Sequence, residues 1–207
     1  MNNPIPGVWF RTYSFLASLL ILAFAHQHVS AQSLKYDAFV DSEKIGEMTV
    51  VKEVNDEADK ISVKGFYKIV RDSLINFKFE SYATYMNGIL MEAEAKTWFN
   101  DHKPLVTNTF GGQGDSYFLE RSWIKVSEPL MKTELYGTDI LYFEEPERLK
   151  NIYDLYTGGY MRIEPAKTGS YNLIFSNRTY LFQYKDGVLT EFTNAFGAYI
   201  ITFKLAG

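Results

Sequence analysis

The chain has 207 residues, no cysteine, and 21 basic against 25 acidic side chains, for a formal charge of −4. That length suits one domain with its own core, and the missing cysteines exclude a disulfide framework and thiol chemistry. The mild acidity argues against nucleic acid and against a polybasic grip on anionic lipid.

The chain opens in three zones. Met1 to Ser14 is polar and carries one charge, Arg11; Phe15 to Ala25 is unbroken apolar sequence; His26 to Ala31 is short, polar and ends in small residues. That order is the pattern of a secretory signal, and the apolar run falls short of the roughly 20 residues that span a bilayer. Val29-Ser30-Ala31 suits a signal peptidase, so cleavage is expected after Ala31, with Ala23-Phe24-Ala25 as an earlier alternative. The competing reading is an uncleaved anchor helix, against which Gln27 and His28 interrupt the apolar run. No cysteine follows to take a lipid. The expected product is one exported domain, residues 32–207, periplasmic or extracellular, with no membrane span left after cleavage and with His102 as its only histidine.

The segments that follow alternate with a period of two, the mark of half-buried strands. Lys35 to Val40 and Lys44 to Val54 come first, with Gly46 read as a bulge or close approach. Lys60 to Val70 and Leu74 to Met86 follow. Asn87-Gly88 is the strongest hairpin signal, because both residues tolerate positive φ; Ile89 to Phe99 returns from it. Leu105 to Phe110, Tyr117 to Val126 and Leu135 to Phe143 read as further strands, with a glycine-rich loop, Gly111 to Asp115, after the first. Tyr171 to Phe175, Thr179 to Tyr184, Val188 to Thr193 and Tyr199 to Leu205 complete the set. One stretch has a helical period: Leu149, Ile152, Tyr153 and Tyr156, preceded by Glu144-Glu145-Pro146-Glu147 and ended by Gly158-Gly159. It predicts a short helix over 146–156. The expected fold is all-β: one strongly curved antiparallel sheet of about ten or eleven strands, a half-barrel or barrel.

Several of these segments carry a likeness. Lys35-Tyr36-Asp37-Ala38-Phe39-Val40-Asp41, then Lys44-Ile45-Gly46-Glu47-Met48, resembles the opening of the exported bacterial family of domain of unknown function 6134, seen mostly in Bacteroidota. The hairpin Tyr85 to Leu90, the turn near Asn100, Leu141-Tyr142-Phe143-Glu144-Glu145-Pro146 and Tyr184 to Leu189 are similar to it as well. The likeness covers nearly all of the chain after the leader. It implies a fold class and an exported compartment and brings no catalytic residues.

Chemistry is limited by what is missing. A serine triad would have to use His102, which sits in a polar turn, and there is no Gly-x-Ser-x-Gly elbow. One histidine and no cysteine cannot build a usual zinc site. Glu92 and Glu94 lie on one strand face roughly 7 Å apart, a spacing compatible with two-carboxylate hydrolysis but shared with Lys96 as a solvated face. Glu144, Glu145 and Glu147 suit a helix start and are otherwise candidates for binding. Asp56, Glu57 and Asp59 lack the rest of a calcium loop. Aromatic residues make up 16% of the chain. Tyr36, Phe77, Phe79, Tyr85, Phe182 and Tyr199 are expected on the concave face, either as packed core or as the lining of an apolar pocket.

The expectation from sequence is therefore a non-enzymatic binder of an apolar or amphipathic, lipid-like ligand, without metal or cofactor. The alternatives are a structural or protein-interaction domain of the cell envelope and a carboxylate-dependent hydrolase.

Overall fold

The computed structural model describes residues 30–207, apart from 71–73, 112–115 and 131–134 and the side chains of 125–130. The leader expected over residues 1–31 lies outside the described residues, except Ser30 and Ala31, which open the first strand. Among the described residues no helix is long and apolar enough to cross a membrane.

One antiparallel sheet of fourteen strands forms the molecule. In chain order these are β1 (Ser30–Val40), β2 (Glu43–Val54), β3 (Asp59–Val70), β4 (Leu74–Met86), β5 (Ile89–Phe99), β6 (Leu105–Gly111) and β7 (Tyr117–Arg121). They continue with β8 (Ile124–Leu130), β9 (Asn151–Asp154), β10 (Gly159–Lys167), β11 (Ser170–Phe175), β12 (Arg178–Lys185), β13 (Val188–Phe196) and β14 (Tyr199–Leu205). Spatially, β8 to β1 run in descending order and β14 to β9 follow, because β1 pairs with β14 and joins the two meanders. Every connection between paired neighbours within a meander is a hairpin. Asn87-Gly88 and Asp186-Gly187 both take positive φ at their two central positions, as a hairpin that follows the strand twist requires.

The all-β curved sheet agrees with the sequence pattern, but three segments differ from it. Residues 146–156 do not form a helix: turns over 144–149 lead into β9, which pairs with β10. Ile152, Tyr153, Asp154 and Leu155 are buried in succession, so the segment is covered on both sides, and its helical spacing carries no facial information. Leu135 to Phe143 is not a strand; it makes one bridge, Gly137 to Tyr153, and then a 3₁₀ helix, Thr138–Tyr142. Tyr117 to Val126 turns back on itself at Ser122-Trp123 and so supplies two strands, β7 and β8. With β9 and β10 in place of the helix, the count rises to fourteen.

The core lies on the concave face and continues across the strands. Tyr36, Met48, Val50, Ile61, Val63, Tyr67, Ile201 and Phe203 are all buried there. Inside the sheet, β4 to β6 present small side chains: Ser81, Ala83, Ala93, Ala95, Thr107 and Thr109, all buried. That shallow panel leaves room for a second layer, formed by the 3₁₀ helix and β9. Thr107 Oγ1 donates to the Tyr156 carbonyl at 2.6 Å, and the Thr109 and Tyr153 hydroxyls meet at 2.8 Å. Leu141, Ile152, Tyr153 and Leu155 of that layer are fully buried.

Gly46 sits where β2 carries an extra residue, Ile45, against β1. A side chain there would strike the Phe66 carbonyl and come within 2.6 Å of the Tyr67 Cα, both backbone. Because backbone cannot rotate aside, Gly46→Ala is expected to cost more than the roughly 1–3 kcal/mol of ordinary overpacking. Gly88→Ala meets no neighbour and should cost about 1–2 kcal/mol for its positive φ alone. Urea unfolding of the two variants checks the order; equal losses would contradict the close approach.

Candidate functional site

The inner layer does not fill the curved sheet completely. A cavity of about 230 Å³ remains toward one end, between β4–β5 on one side and β10 and β12–β14 on the other. Its walls are rings: Phe77 and Phe79 from β4, Phe182 from β12, Phe192 from β13 and Phe203 from β14. Phe192 stacks on Phe203 at 4.6 Å between centroids, and Phe79 stands edge-on to Phe203 at 6.2 Å and to Tyr156 at 6.2 Å. Gly65 makes this possible: the Phe79 ring lies across it, in the space a side chain would take. Tyr142 and Thr138 of the 3₁₀ helix and Met48 border the cavity as well, and Tyr142 donates to the Met48 sulfur at 3.7 Å.

Polar groups enter from the turn after β9. Asp154 Oδ2 accepts from the Thr157 hydroxyl at 2.6 Å and its Oδ1 from the Tyr156 N–H at 3.2 Å. Gly158, at positive φ, donates to the Asp154 carbonyl at 2.8 Å. Burial raises the Asp154 carboxyl above its ordinary pKa, against the pull of those hydrogen bonds. With Thr97, Thr193 and Asn194, the turn gives an otherwise aromatic cavity a sparse set of donors and acceptors, the usual make-up of a small-molecule site. Arg121 closes the turn from outside, its Nε donating to the Thr157 carbonyl at 2.9 Å.

The six aromatic residues expected to share a pocket divide. Phe77, Phe79 and Phe182 line the cavity. Tyr36 is fully buried, with its hydroxyl donating to the Leu189 carbonyl at 2.7 Å, and Tyr85 is buried with its hydroxyl on Asp139. Both belong to the filled part of the interior. Tyr199, opposite Phe196 on the neighbouring strand, packs near the same end without lining the cavity.

The carboxylates named from sequence lie elsewhere. Glu92 and Glu94 point outward from β5, Glu92 accepting from Thr84 and Glu94 paired with Lys96 at 2.5 Å. Glu144 reaches Lys52 at 3.3 Å, and Glu145 accepts from the Tyr171 hydroxyl at 2.9 Å. With no helix there, these two acids tether the turn to β2 and β11. His102 stacks flat on Phe99 at 6.3 Å, at the sheet end. Among the described residues no cluster of three or more potential metal ligands occurs.

Sequence reasoning missed Asp139, Asp154, Tyr142 and Tyr156. Asp139 is the most unusual of them: 2% exposed, inside the 3₁₀ helix, with Oδ1 accepting from Tyr85 and Oδ2 without a hydrogen-bond partner among the described residues. Burial pushes its carboxyl up to about 7, opposed by the Tyr85 hydroxyl and, more weakly, by Lys52. The signal was available: both aspartates interrupt apolar runs, Ile140-Leu141-Tyr142 after one and Ile152-Tyr153 before the other, where an acid costs most.

The family model Domain of unknown function (DUF6134) matches residues 36–206, and the chain belongs to that family. No curated protein matches. Among solved structures, the chain is similar to a crystal structure titled beta-barrel-like protein of domain of unknown function DUF1849 from Brucella abortus. That match has 10% identity and a TM-score of 0.57, and covers 87% of this chain and 97% of the other. It speaks for a barrel-like fold.

The Asp139 carboxyl gives a measurable consequence. Its pKa in the folded chain lies above its ordinary 3.8, so between about pH 4 and 7 the folded state holds more protons than the unfolded one. Its contribution to stability is present at low pH and declines through that window, by at most about 1.4 kcal/mol per pH unit. Asp139→Asn removes the titration and keeps an oxygen for Tyr85. Urea unfolding across pH 4–8 should show a shallower decline in the variant; parallel curves would contradict the assignment.

Proposed function

We propose that the chain is an exported, non-enzymatic binding domain of the periplasm or extracellular space, whose cavity takes the apolar part of an amphipathic small molecule. The observation that carries this reading is the cavity itself: five phenylalanine rings around unfilled space, with Asp154 and Thr157 at one side. A packed core of these residues would close such a gap, since voids in protein interiors forfeit contacts on every lining atom. At about 230 Å³ the space is smaller than the roughly 300–1,000 Å³ of sites for drug-sized ligands. It suits a short alkyl segment or one aromatic group, with the remainder of the ligand outside. Export rests on the three-zone leader.

A second reading, a structural or protein-interaction domain of the envelope, is favoured by the filled half of the interior around Tyr36 and Tyr85. The two readings separate at Phe79. Its ring is only partly buried and forms one wall of the cavity. If the cavity is a binding site, fluorescent medium-chain fatty acids bind the wild type, and Phe79→Ala weakens them by about tenfold, while costing less than the 3–5 kcal/mol of a fully packed phenylalanine. Titration and urea unfolding of both proteins test this. No probe binding by the wild type, with a full-size stability loss in the variant, would leave the structural reading.

A further inference from the structure

We propose that the outer face of the sheet carries a second binding site, a trough across β2 to β6 that takes a neutral, linear oligosaccharide. The trough lies on the opposite side of the sheet from the aromatic cavity and is independent of the ligand reading given to that cavity.

Parity within the strands defines the trough. Ser81, Ala83, Ala93, Ala95, Thr107 and Thr109 are buried toward the inside, so the residues that alternate with them face out. Strand pairing sets these outer side chains in two neighbouring rows that cross the strands. One row is Glu53, Lys60, Thr84, Glu92 and Phe110; the next is Val51, Ser62, Tyr82, Glu94 and Asn108. Together they line a space of about 560 Å³, with Ile61, Ala83 and Ala93 beneath them. Ser62 and Thr84 are short and leave the middle of the rows low. Met91, an extra residue of β5 against β4, bends that strand beside Glu92. The volume falls within the roughly 300–1,000 Å³ of small-molecule sites, and five strands spaced by about 4.8 Å make the trough roughly 19 Å long.

The lining selects the occupant. Tyr82 is 40% and Phe110 38% exposed, and the exposed Phe118, paired with Phe110 on β7, extends the ring row. Lys64 lies 5.3 Å over the Tyr82 ring, from outside the lining, and steadies it. Between the rings stand three carboxylate acceptors (Glu53, Glu92 and Glu94), the ammonium donor of Lys60, and Ser62, Thr84 and Asn108, which do both. Thr84 donates to Glu92 at 3.2 Å, and Glu94 pairs with Lys96. Glu53, Lys60, Ser62 and Asn108 make no side-chain hydrogen bond or ion pair among the described residues, so their capacity faces solvent. A sugar answers both halves of this lining: its hydroxyls donate and accept around the edge, and its C–H faces rest on the negative faces of the rings. Other occupants match less of it. Three acids against one lysine repel nucleic acid and anionic lipid, and an apolar ligand would leave the carboxylates buried without partners. A peptide cannot add as a strand, because β2 to β6 are each paired on both sides. With Glu94 held by Lys96 and Lys60 in the lining, little unbalanced charge is left to prefer a cation.

The test is isothermal titration of the full chain with linear tetrasaccharides of β-linked glucose, α-linked glucose, mannose and N-acetylglucosamine. At least one of them should bind with a millimolar Kd or tighter. Tyr82→Ala and Phe110→Ala should each weaken that binding by about tenfold, and Asn108→Ala should weaken it severalfold. Phe66→Ala, which removes an exposed ring of the same face outside the trough, should leave it unchanged. Because substitution can disturb folding, a second readout uses the wild type: saturating the protein's aromatic protons in an NMR transfer experiment should mark the ring C–H protons of the bound sugar. Absence of binding by all four sugars, equal losses in Tyr82→Ala and Phe66→Ala, or spermidine binding tighter than every sugar and abolished by salt would each overturn the proposal. The fatty-acid probe of the inner cavity should bind Tyr82→Ala as it binds the wild type, so a failure of either site is read separately from the other.

Discussion

An open sheet of fourteen strands has two edges and a concave face too wide for one layer of side chains to fill. The interior of this protein depends on how that problem is met. The sheet does not close by a ladder between its terminal strands; β8 and β9 end the order. Instead the segment after β8 turns inward. Leu135 accepts from the Leu90 N–H at 2.9 Å and Tyr136 from the Tyr153 N–H at 2.8 Å, so backbone from residues 135–136 links β5 to β9. Thr109 then holds β9 at Tyr153, and Thr107 and Arg121 hold the turn after it, all through side-chain hydrogen bonds. Curved sheets of this size must either be filled or enclose space, and here the chain supplies part of its own filling.

That device explains features that otherwise look unrelated. The small residues on β4 to β6 are the floor on which the inner layer rests. The buried Asp139 and its Tyr85 partner fix the 3₁₀ helix to that floor, at the cost of a carboxyl kept away from water. Asp154 shapes the turn that forms one side of the cavity. Where the inner layer stops, the space stays open, and the rings of β4, β12, β13 and β14 face each other across it. Cavity and inner layer are thus two parts of one arrangement.

Much of this was legible in the sequence, and the rest was hidden for a physical reason. Strands with one wet and one dry face show their period, so β1 to β6 and β11 to β14 could be read directly, and Asn87-Gly88 marked its hairpin. The inner layer has no wet face. In residues 151–155 burial is nearly continuous, and a period of three or four in that stretch fits a helix as well as a covered strand. The alternation over Leu135 to Phe143 fits a strand equally well, yet the segment pairs through one bridge only. Of the aromatic candidates, side-chain direction was readable from parity within each strand. Whether a ring faces packing or space was not, because that depends on the inner layer: Tyr36 and Tyr85 meet it, while Phe77, Phe79 and Phe182 look past it.

The central claim is that the uncovered part of the sheet holds a small amphipathic molecule in an exported protein. Native mass spectrometry of the protein purified from its own cell envelope tests this most directly. The account predicts a chain beginning at Gln32 that carries a non-covalent adduct of lipid-like mass, released on unfolding. A bare polypeptide mass in every charge state, or a chain retaining Phe15 to Ala25, would contradict it.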